Sequence, residues 1–212
     1  MFGRWKIVAA AGASAALLLT GVPAQAASMD AQGASAHQAP AAGQTVAVQD
    51  HAGTVVGSLH TMTAAEIAAR GLTEFAGAVD PSAADTGAAP APRKSHTSSV
   101  TPAAGGCWTF QFKQPGWLGM DGYGSEDWCG SGGSITYAVP ACWGTDGWYP
   151  TYNYLGCTKT KYYGVGWNVA DTLYNFDFCI AWWGGGCAKH RHLWDRYRFG
   201  AGGGVWLISY GG

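Results

Sequence analysis

Alternation of apolar and polar residues is the main pattern in the second half of the chain. From Trp108 to Lys113, aromatic side chains at 108, 110 and 112 alternate with polar ones, which is the period of a β-strand with one buried face. Further β-prone runs, bounded by glycine-rich turns, lie at Ser134–Val139, Leu173–Trp183, Lys189–Arg198 and Val205–Tyr210. No window has a helical period. The pattern therefore predicts an all-β domain over residues 107–212, a small antiparallel β-sandwich or barrel.

Cysteine spacing predicts that disulfides staple this domain. The chain's six cysteines all lie within it, at Cys107, Cys129, Cys142, Cys157, Cys179 and Cys187. No pair has the C-x2-C spacing of a zinc site, so we expect three disulfides. Six cysteines allow fifteen pairings, and spacing alone does not choose among them. Because Cys179 and Cys187 flank a glycine-rich turn, we expect these two to bridge a hairpin.

The N-terminus has the pattern of a secretory signal peptide. Arg4 and Lys6 precede an uncharged run, Ile7–Val22, which is shorter than the ~20 residues that cross a bilayer. Ala24-Gln25-Ala26 then matches a signal-peptidase site, so residues 1–26 are predicted to be removed. The alternative is an N-terminal membrane anchor. We expect a secreted, extracellular protein with no membrane span after signal removal, a compartment in which disulfides persist.

Residues 27–106 have a different composition. They contain no Tyr or Cys and are rich in Ala, Gly, Ser and Pro, so we expect a mostly flexible segment. A hairpin–helix island is predicted at 45–71, where two β-prone runs precede a capping box formed by Thr63 and Glu66. The island is too small to hold a core alone. The segment is either a pro-segment that shields or assists the β domain or a spacer.

Charge and aromatic content limit the function classes. Only 12% of residues are charged and the net charge is −1, so the surplus of Lys and Arg that binds nucleic acid is absent. All but one of the 11 tryptophans follow residue 106. Since the β domain has few aliphatic residues, most of its aromatic rings are needed for the core. We expect only a few rings to remain for a binding surface.

The most unusual local feature is the basic run that ends at Arg198. On a strand, one face would carry His190, His192, Trp194, Arg196 and Arg198. A Trp flanked by cations can hold an anionic or sugar ligand by stacking and ion pairing, so we predict a ligand-binding site there. The alternative is a solvated strand whose charges prevent aggregation.

Metal-binding motifs are weak. His190 and His192 point the same way on a strand, but no third ligand is evident. Asp121, Glu126 and Asp127 lie in a stretch that we interpret as an acidic, glycine-bearing loop. This loop is an alternative calcium site, although it lacks EF-hand spacing. We expect no metal and no cofactor.

Catalytic residues are not identified by any motif. The G-x-S-x-G and H-E-x-x-H patterns are absent. Glu126 could pair with Asp171 or Asp177, but any small domain offers such coincidences. An enzyme is therefore less expected than a binding protein.

Two sequence stretches resemble a known group of proteins. The patterns Asp127-Trp128-Cys129-Gly130 with Ile135-Thr136, and Phe176-Asp177-Phe178-Cys179 with Gly186-Cys187, resemble those of small secreted Cys/Trp-rich proteins of high-GC Gram-positive bacteria. The resemblance covers most of residues 107–212. It implies secretion and a β fold, and it supplies no catalytic residues.

Three function hypotheses follow. The first is a non-enzymatic extracellular recognition module whose partner is a polysaccharide, the cell envelope or a protein ligand. The second is a secreted inhibitor or toxin-like effector, for which a rigid disulfide scaffold also serves. The third is a small secreted hydrolase that uses acidic residues such as Glu126 and Asp177.

Overall fold

Strands hold most of the residues that the computed structural model describes, which are 39–50, 52–77, 89–94, 105–183 and 186–212. The predicted signal peptide lies outside these residues. The described elements are β1 (Thr45–Gln49), β2 (Val55–Thr61), α1 (Ala64–Ala69), β3 (Gly106–Pro115), β4 (Asp121–Ser131), β5 (Ser134–Thr145), β6 (Asn153–Tyr163), β7 (Val169–Trp183), β8 (Gly186–Gly200) and β9 (Val205–Gly211).

The strands form two antiparallel sheets. The first sheet has the order β1-β2-β3-β4-β5 and the second the order β6-β7-β8-β9, so within each sheet the strands pair in sequence order. Glycine-rich turns join several of these hairpins, as at Gly132 and Gly133, whose positive φ angles suit a tight turn between β4 and β5. The predicted all-β class is confirmed, with two sheets packed as a sandwich.

Aromatic rings fill the space between the sheets. Phe110 and Phe112 of β3 are buried, as their alternation predicts. The Tyr197 ring of β8 lies 4.9 Å from the ring of Phe110 and 4.5 Å from that of Phe112. Trp128 of β4 meets Phe199 of β8 at 4.9 Å. Burying about 200 Å² per ring stabilises the fold by roughly 5 kcal/mol for each, so these contacts form the core.

Three disulfides tie neighbouring strands together. Cys179 pairs with Cys187 across the β7–β8 hairpin, which confirms the predicted bridge. Cys107–Cys129 joins β3 to β4, where the two residues are directly opposite in the sheet. Cys142–Cys157 joins β5 to β6 and so links the first sheet to the second.

The first two strands come from the segment that precedes Cys107. Leu59 of β2 lies opposite Phe110 of β3, so the hairpin β1–β2 extends the first sheet. Helix α1 follows with the capping box of Thr63 and Glu66. The Thr63 backbone N–H, together with His60, lowers the pKa of Glu66 to about 2. The hairpin–helix island therefore docks on the β domain, and the sheet continues across the boundary drawn at residue 107.

A second, smaller apolar cluster holds the helix in place. Ile67 of α1 and Leu72 pack against the Cys107–Cys129 bridge on the outer side of the first sheet. Helix α1 is only six residues long. Within the described residues no helix is long and apolar enough to cross a membrane.

Candidate functional site

The predicted ligand-binding stripe of β8 does share one face. Along the strand, Leu193, Asp195, Tyr197 and Phe199 are buried between the sheets. The alternate residues therefore lie on the outer face of the second sheet, and they are His190, His192, Trp194, Arg196 and Arg198.

One shared carboxylate pairs with both arginines of this stripe. Asp171 of β7 has no exposed side-chain surface and contacts both guanidinium groups, at 2.8 Å from Arg196 Nη2 and 2.6 Å from Arg198 Nε. Arg198 also donates to the carbonyl of Pro90. Arg196 lies 4.3 Å from the centre of the Tyr162 ring. These cations are held by the protein's own groups, which leaves them little capacity for an anionic ligand.

The rest of the stripe is less constrained. His192 Nδ1 lies 2.7 Å from Asp177 Oδ1, and both side chains are about half exposed. Trp194 is half-buried beside Gly211, where an added Cβ would lie 2.8 Å from the indole. His190 is exposed. Ligand binding at this stripe stays a prediction.

The acidic loop expected around residue 125 is instead strand β4, which is a correction to the sequence interpretation. Consecutive residues of a strand point to opposite faces. Asp121 and Asp127 lie on the outer face, where they pair with Lys113 and Arg70 at 2.7 Å and 2.8 Å. Glu126 points into the core. The three carboxylates cannot converge on one calcium ion, and the described residues contain no cluster of three metal-ligating side chains.

Glu126 is the most unusual ionisable group of the core. Its Oε2 accepts hydrogen bonds from Thr172 Oγ1 at 2.9 Å and from the Tyr174 hydroxyl at 2.8 Å, whereas Oε1 has no partner among the described residues. Burial raises the pKa of Glu126 to about 7. Asp171 and Asp177 lie on the opposite face of β7 from Thr172 and Tyr174, so the carboxylate pair considered from sequence is not assembled.

A groove crosses the outer face of the first sheet, and we name it the sheet groove. Its centre is lined by Thr45, Ser58 and Gln111, which are shared by two adjoining cavities of about 440 Å³ and 230 Å³. The pairing of β2 with β3 ends at Ser58 and Gln111, although both strands continue. The buried Phe112 of β3 is among the residues that line the larger cavity.

One end of the sheet groove is aromatic. Tyr123 and Trp143 are cross-strand neighbours whose rings lie parallel within 9°, with centroids 5.7 Å apart. Trp143 is 45% exposed, so one side of this stacked pair faces solvent. Lys113 lies over the Tyr123 ring at 5.9 Å and is held there by its ion pair with Asp121. The result is a rigid, partly cationic platform.

The other end of the sheet groove is polar. His60 Nε2 lies 3.1 Å from Glu66 Oε1. Arg70 pairs with Asp127, whose second oxygen accepts a hydrogen bond from Thr109 Oγ1 at 2.7 Å. These side chains come from β2, α1, β3 and β4. They fix one another's positions, so this end offers oriented donors and acceptors.

A second depression, the end cleft, lies at one end of the sandwich. It has a volume of about 380 Å³ and is lined by Pro115, Trp117, Ile180, Lys189, Arg191 and Leu193. Trp117 is 55% exposed and its ring meets that of Tyr152 edge-on at 6.4 Å. Neither Lys189 nor Arg191 has a carboxylate partner within the part of the chain that the structure describes.

The sequence interpretation missed both depressions. The groove combines residues from five strands, and nothing in the sequence states which strands are neighbours. A signal was present in β4, where Tyr123 and Ser125 alternate with glycines at 122 and 124 in the period of a strand. In β8, Lys189 and Arg191 line the cleft. They lie on the opposite face of the strand from the stripe for which the sequence predicted ligand binding.

Comparison with known proteins adds no relative. No family model, curated protein or solved structure matches the chain.

Proposed function

We propose that this protein is a secreted, non-enzymatic recognition module that binds a polysaccharide chain in the sheet groove. The observation that carries the proposal is the solvent-facing Trp143–Tyr123 stack beside the polar centre of the groove. Among the side chains that the structure describes, ten aromatic ones are buried, fewer than the composition predicted, and six are exposed. Of the six, Trp143 is the one that stacks parallel on another ring, which makes the pair a candidate binding surface.

The chemistry of the groove suits sugars. A sugar ring has faces of C–H groups, which rest on the negatively polarised face of an aromatic ring. Its hydroxyl groups both donate and accept hydrogen bonds, and Thr45, Ser58 and Gln111 offer both roles. A pocket that is mostly apolar, with a few oriented polar groups, is the usual form of a small-molecule site.

The shape of the groove favours a chain over a single sugar. At about 4.8 Å between strands, the distance from β1 to β5 is roughly 19 Å. Aromatic and polar ends lie on either side of a shared centre, so several linked units would contact the protein at once. The residues that line the groove belong to hydrogen-bonded strands, so the protein loses less conformational entropy when the ligand binds.

Three observations support secretion. The N-terminal sequence matches a signal peptide. The three disulfides are of the kind that persists outside the cytoplasm. The described residues contain no helix that could span a membrane. An extracellular polysaccharide or the cell envelope is then the accessible source of the ligand.

Trp143→Ala should lower the affinity for the polysaccharide at least about tenfold, because it removes the aromatic anchor of the groove. The purified, oxidised protein is incubated with insoluble polysaccharides and with cell-wall sacculi, and the bound fraction is measured across protein concentrations. Trp148→Ala is the matched control, since Trp148 is 79% exposed and lies outside the groove.

Soluble sugars are assayed in the same tubes. Retention without sugar release, lost in Trp143→Ala and kept in Trp148→Ala, is the expected result. Equal retention of both variants would place the ligand elsewhere and overturn the proposed site. Release of sugars would show a hydrolase instead of a recognition module.

A further inference from the structure

Strand β8 is only partly covered by its neighbour β9. The pairing between them runs from Trp194 to Phe199, where Trp194 lies opposite Gly211. Residues 186–193 pair with β7 on one side, and on the other side no strand of the described chain pairs with them. Since alternate residues of a strand direct their N–H and C=O groups to each side, about half of the backbone groups of this stretch face outwards unpaired.

The free edge of β8 carries positive charge on both faces. Its successive residues Lys189, His190, Arg191 and His192 are all basic and exposed. Of these, only His192 has a carboxylate partner among the described residues, and that partner, Asp177, is 47% exposed. A second copy of the same edge would be repelled by like charge, so the charges disfavour self-pairing and favour an acidic partner.

The end cleft lies beside this edge. Lys189, Arg191 and Leu193 of β8 line it together with Trp117 and Ile180. A strand added to β8 would place alternate side chains on this side of the sheet, next to a cleft of about 380 Å³ whose lining is both apolar and cationic. Main-chain hydrogen bonds would then supply affinity and the cleft would supply selectivity.

The Cys179–Cys187 bridge keeps this edge in an extended conformation. It joins the strands of the β7–β8 hairpin at its end, and the pairing of Cys179 with His190 continues to Trp182 with Cys187. The edge is thus formed before any partner arrives, which lowers the conformational entropy lost on binding.

From these observations we propose that the edge of β8 at Gly186–Leu193 is a docking site for an extended, acidic peptide segment of another protein, which adds as a strand to the second sheet. This site lies on a different sheet from the sheet groove, so it does not depend on the proposed polysaccharide ligand.

The test uses the full-length oxidised protein and fluorescent octapeptides, with binding followed by anisotropy. The probe alternates Glu and Val, and two controls replace Glu by Lys or carry N-methyl groups on alternate amides. We expect the Glu–Val peptide to bind at least about tenfold more tightly than the Lys–Val peptide, because of charge complementarity. The N-methylated peptide should bind at least as weakly as the Lys–Val peptide, since it lacks the N–H donors that pair with a strand edge.

Two variants of the protein check the location. The double variant Lys189→Glu, Arg191→Glu should reverse the preference between the Glu–Val and Lys–Val peptides, whereas Lys159→Glu, at an exposed position outside the cleft, should leave it unchanged. Absence of binding, or equal binding of the N-methylated peptide, would overturn the proposal. Absence of binding would mean that the charges only protect the edge from pairing with other strands. Equal binding of the N-methylated peptide would mean that the attraction is purely ionic.

Discussion

Replacing Asp171 by Ala should lower the free energy of unfolding by about 3–5 kcal/mol, the usual cost of removing one partner from a buried ion pair. The Asp171 carboxylate is fully buried and binds Arg196 and Arg198, whose side chains are only 28% and 12% exposed. Without the carboxylate, two positive charges remain where water reaches them poorly. Chemical denaturation of the oxidised protein measures the loss.

Asp177→Ala is the matched control. Asp177 lies on the same strand and face as Asp171 and also pairs across to β8, with His192. Both members of that pair are about half exposed, so water screens their attraction and its loss should cost at most about 1 kcal/mol. Equal losses in the two variants would contradict the view that burial makes the Asp171 pairs important.

The protein should lose stability as the pH rises from about 4.5 to about 7. Burial raises the pKa of Glu126 from its ordinary 4.5 to about 7, so in this interval the folded state holds a proton that the unfolded chain has released. At about 1.4 kcal/mol per pH unit, the loss attributed to Glu126 is about 3 kcal/mol. Asp195 acts in the same direction, because burial also raises its pKa to about 7.

Glu126→Gln isolates the contribution of Glu126. The amide cannot ionise, and its oxygen still accepts hydrogen bonds from Thr172 and Tyr174. The variant should match the parent near pH 4.5 and exceed it by about 3 kcal/mol at pH 8. Denaturation curves at both pH values give the comparison. An unchanged pH dependence in the variant would show that Glu126 is ionised in the folded state at low pH.

Local sequence patterns predicted much of the fold. The aromatic alternation from Trp108 to Phe112 gave the buried face of β3, because a period of two depends only on neighbouring residues. The Cys179–Cys187 bridge was predictable because a short turn brings the two residues onto adjacent strands, although Cys179 is opposite His190 and Cys187 is opposite Trp182. The shared outer face of the β8 stripe follows from the same local geometry.

Strand β4 was misread because its glycines were taken as turn residues. Gly122 and Gly124 lie on the inner face, where a side chain at either position would collide with a ring, that of Phe176 or of Phe112. Glycine stands at both positions because the two rings occupy the space that a side chain would need. The rings belong to other strands, so the requirement comes from contacts between distant parts of the chain. A single sequence does not contain that information.

The candidate sites were harder to predict than the fold. The Trp143–Tyr123 stack depends on the register between β4 and β5, and the polar end of the sheet groove depends on β2 and α1 docking against β3. The pairing of Arg196 and Arg198 with Asp171 likewise depends on the register of β7 with β8. Register is set by packing of whole strands, so local residue patterns did not reveal which cations of β8 were already paired with a carboxylate.

The connectivity of the three disulfides bears on how they form. The first cysteine bonds to the second, the third to the fourth and the fifth to the sixth, with separations of 22, 15 and 8 residues. Only one of the fifteen pairings has this property. A chain that emerges N-terminus first therefore completes each pair before the next pair appears. The short loops favour closure of the correct partner. Oxidation in the order of emergence therefore favours the native bridges over the other fourteen pairings.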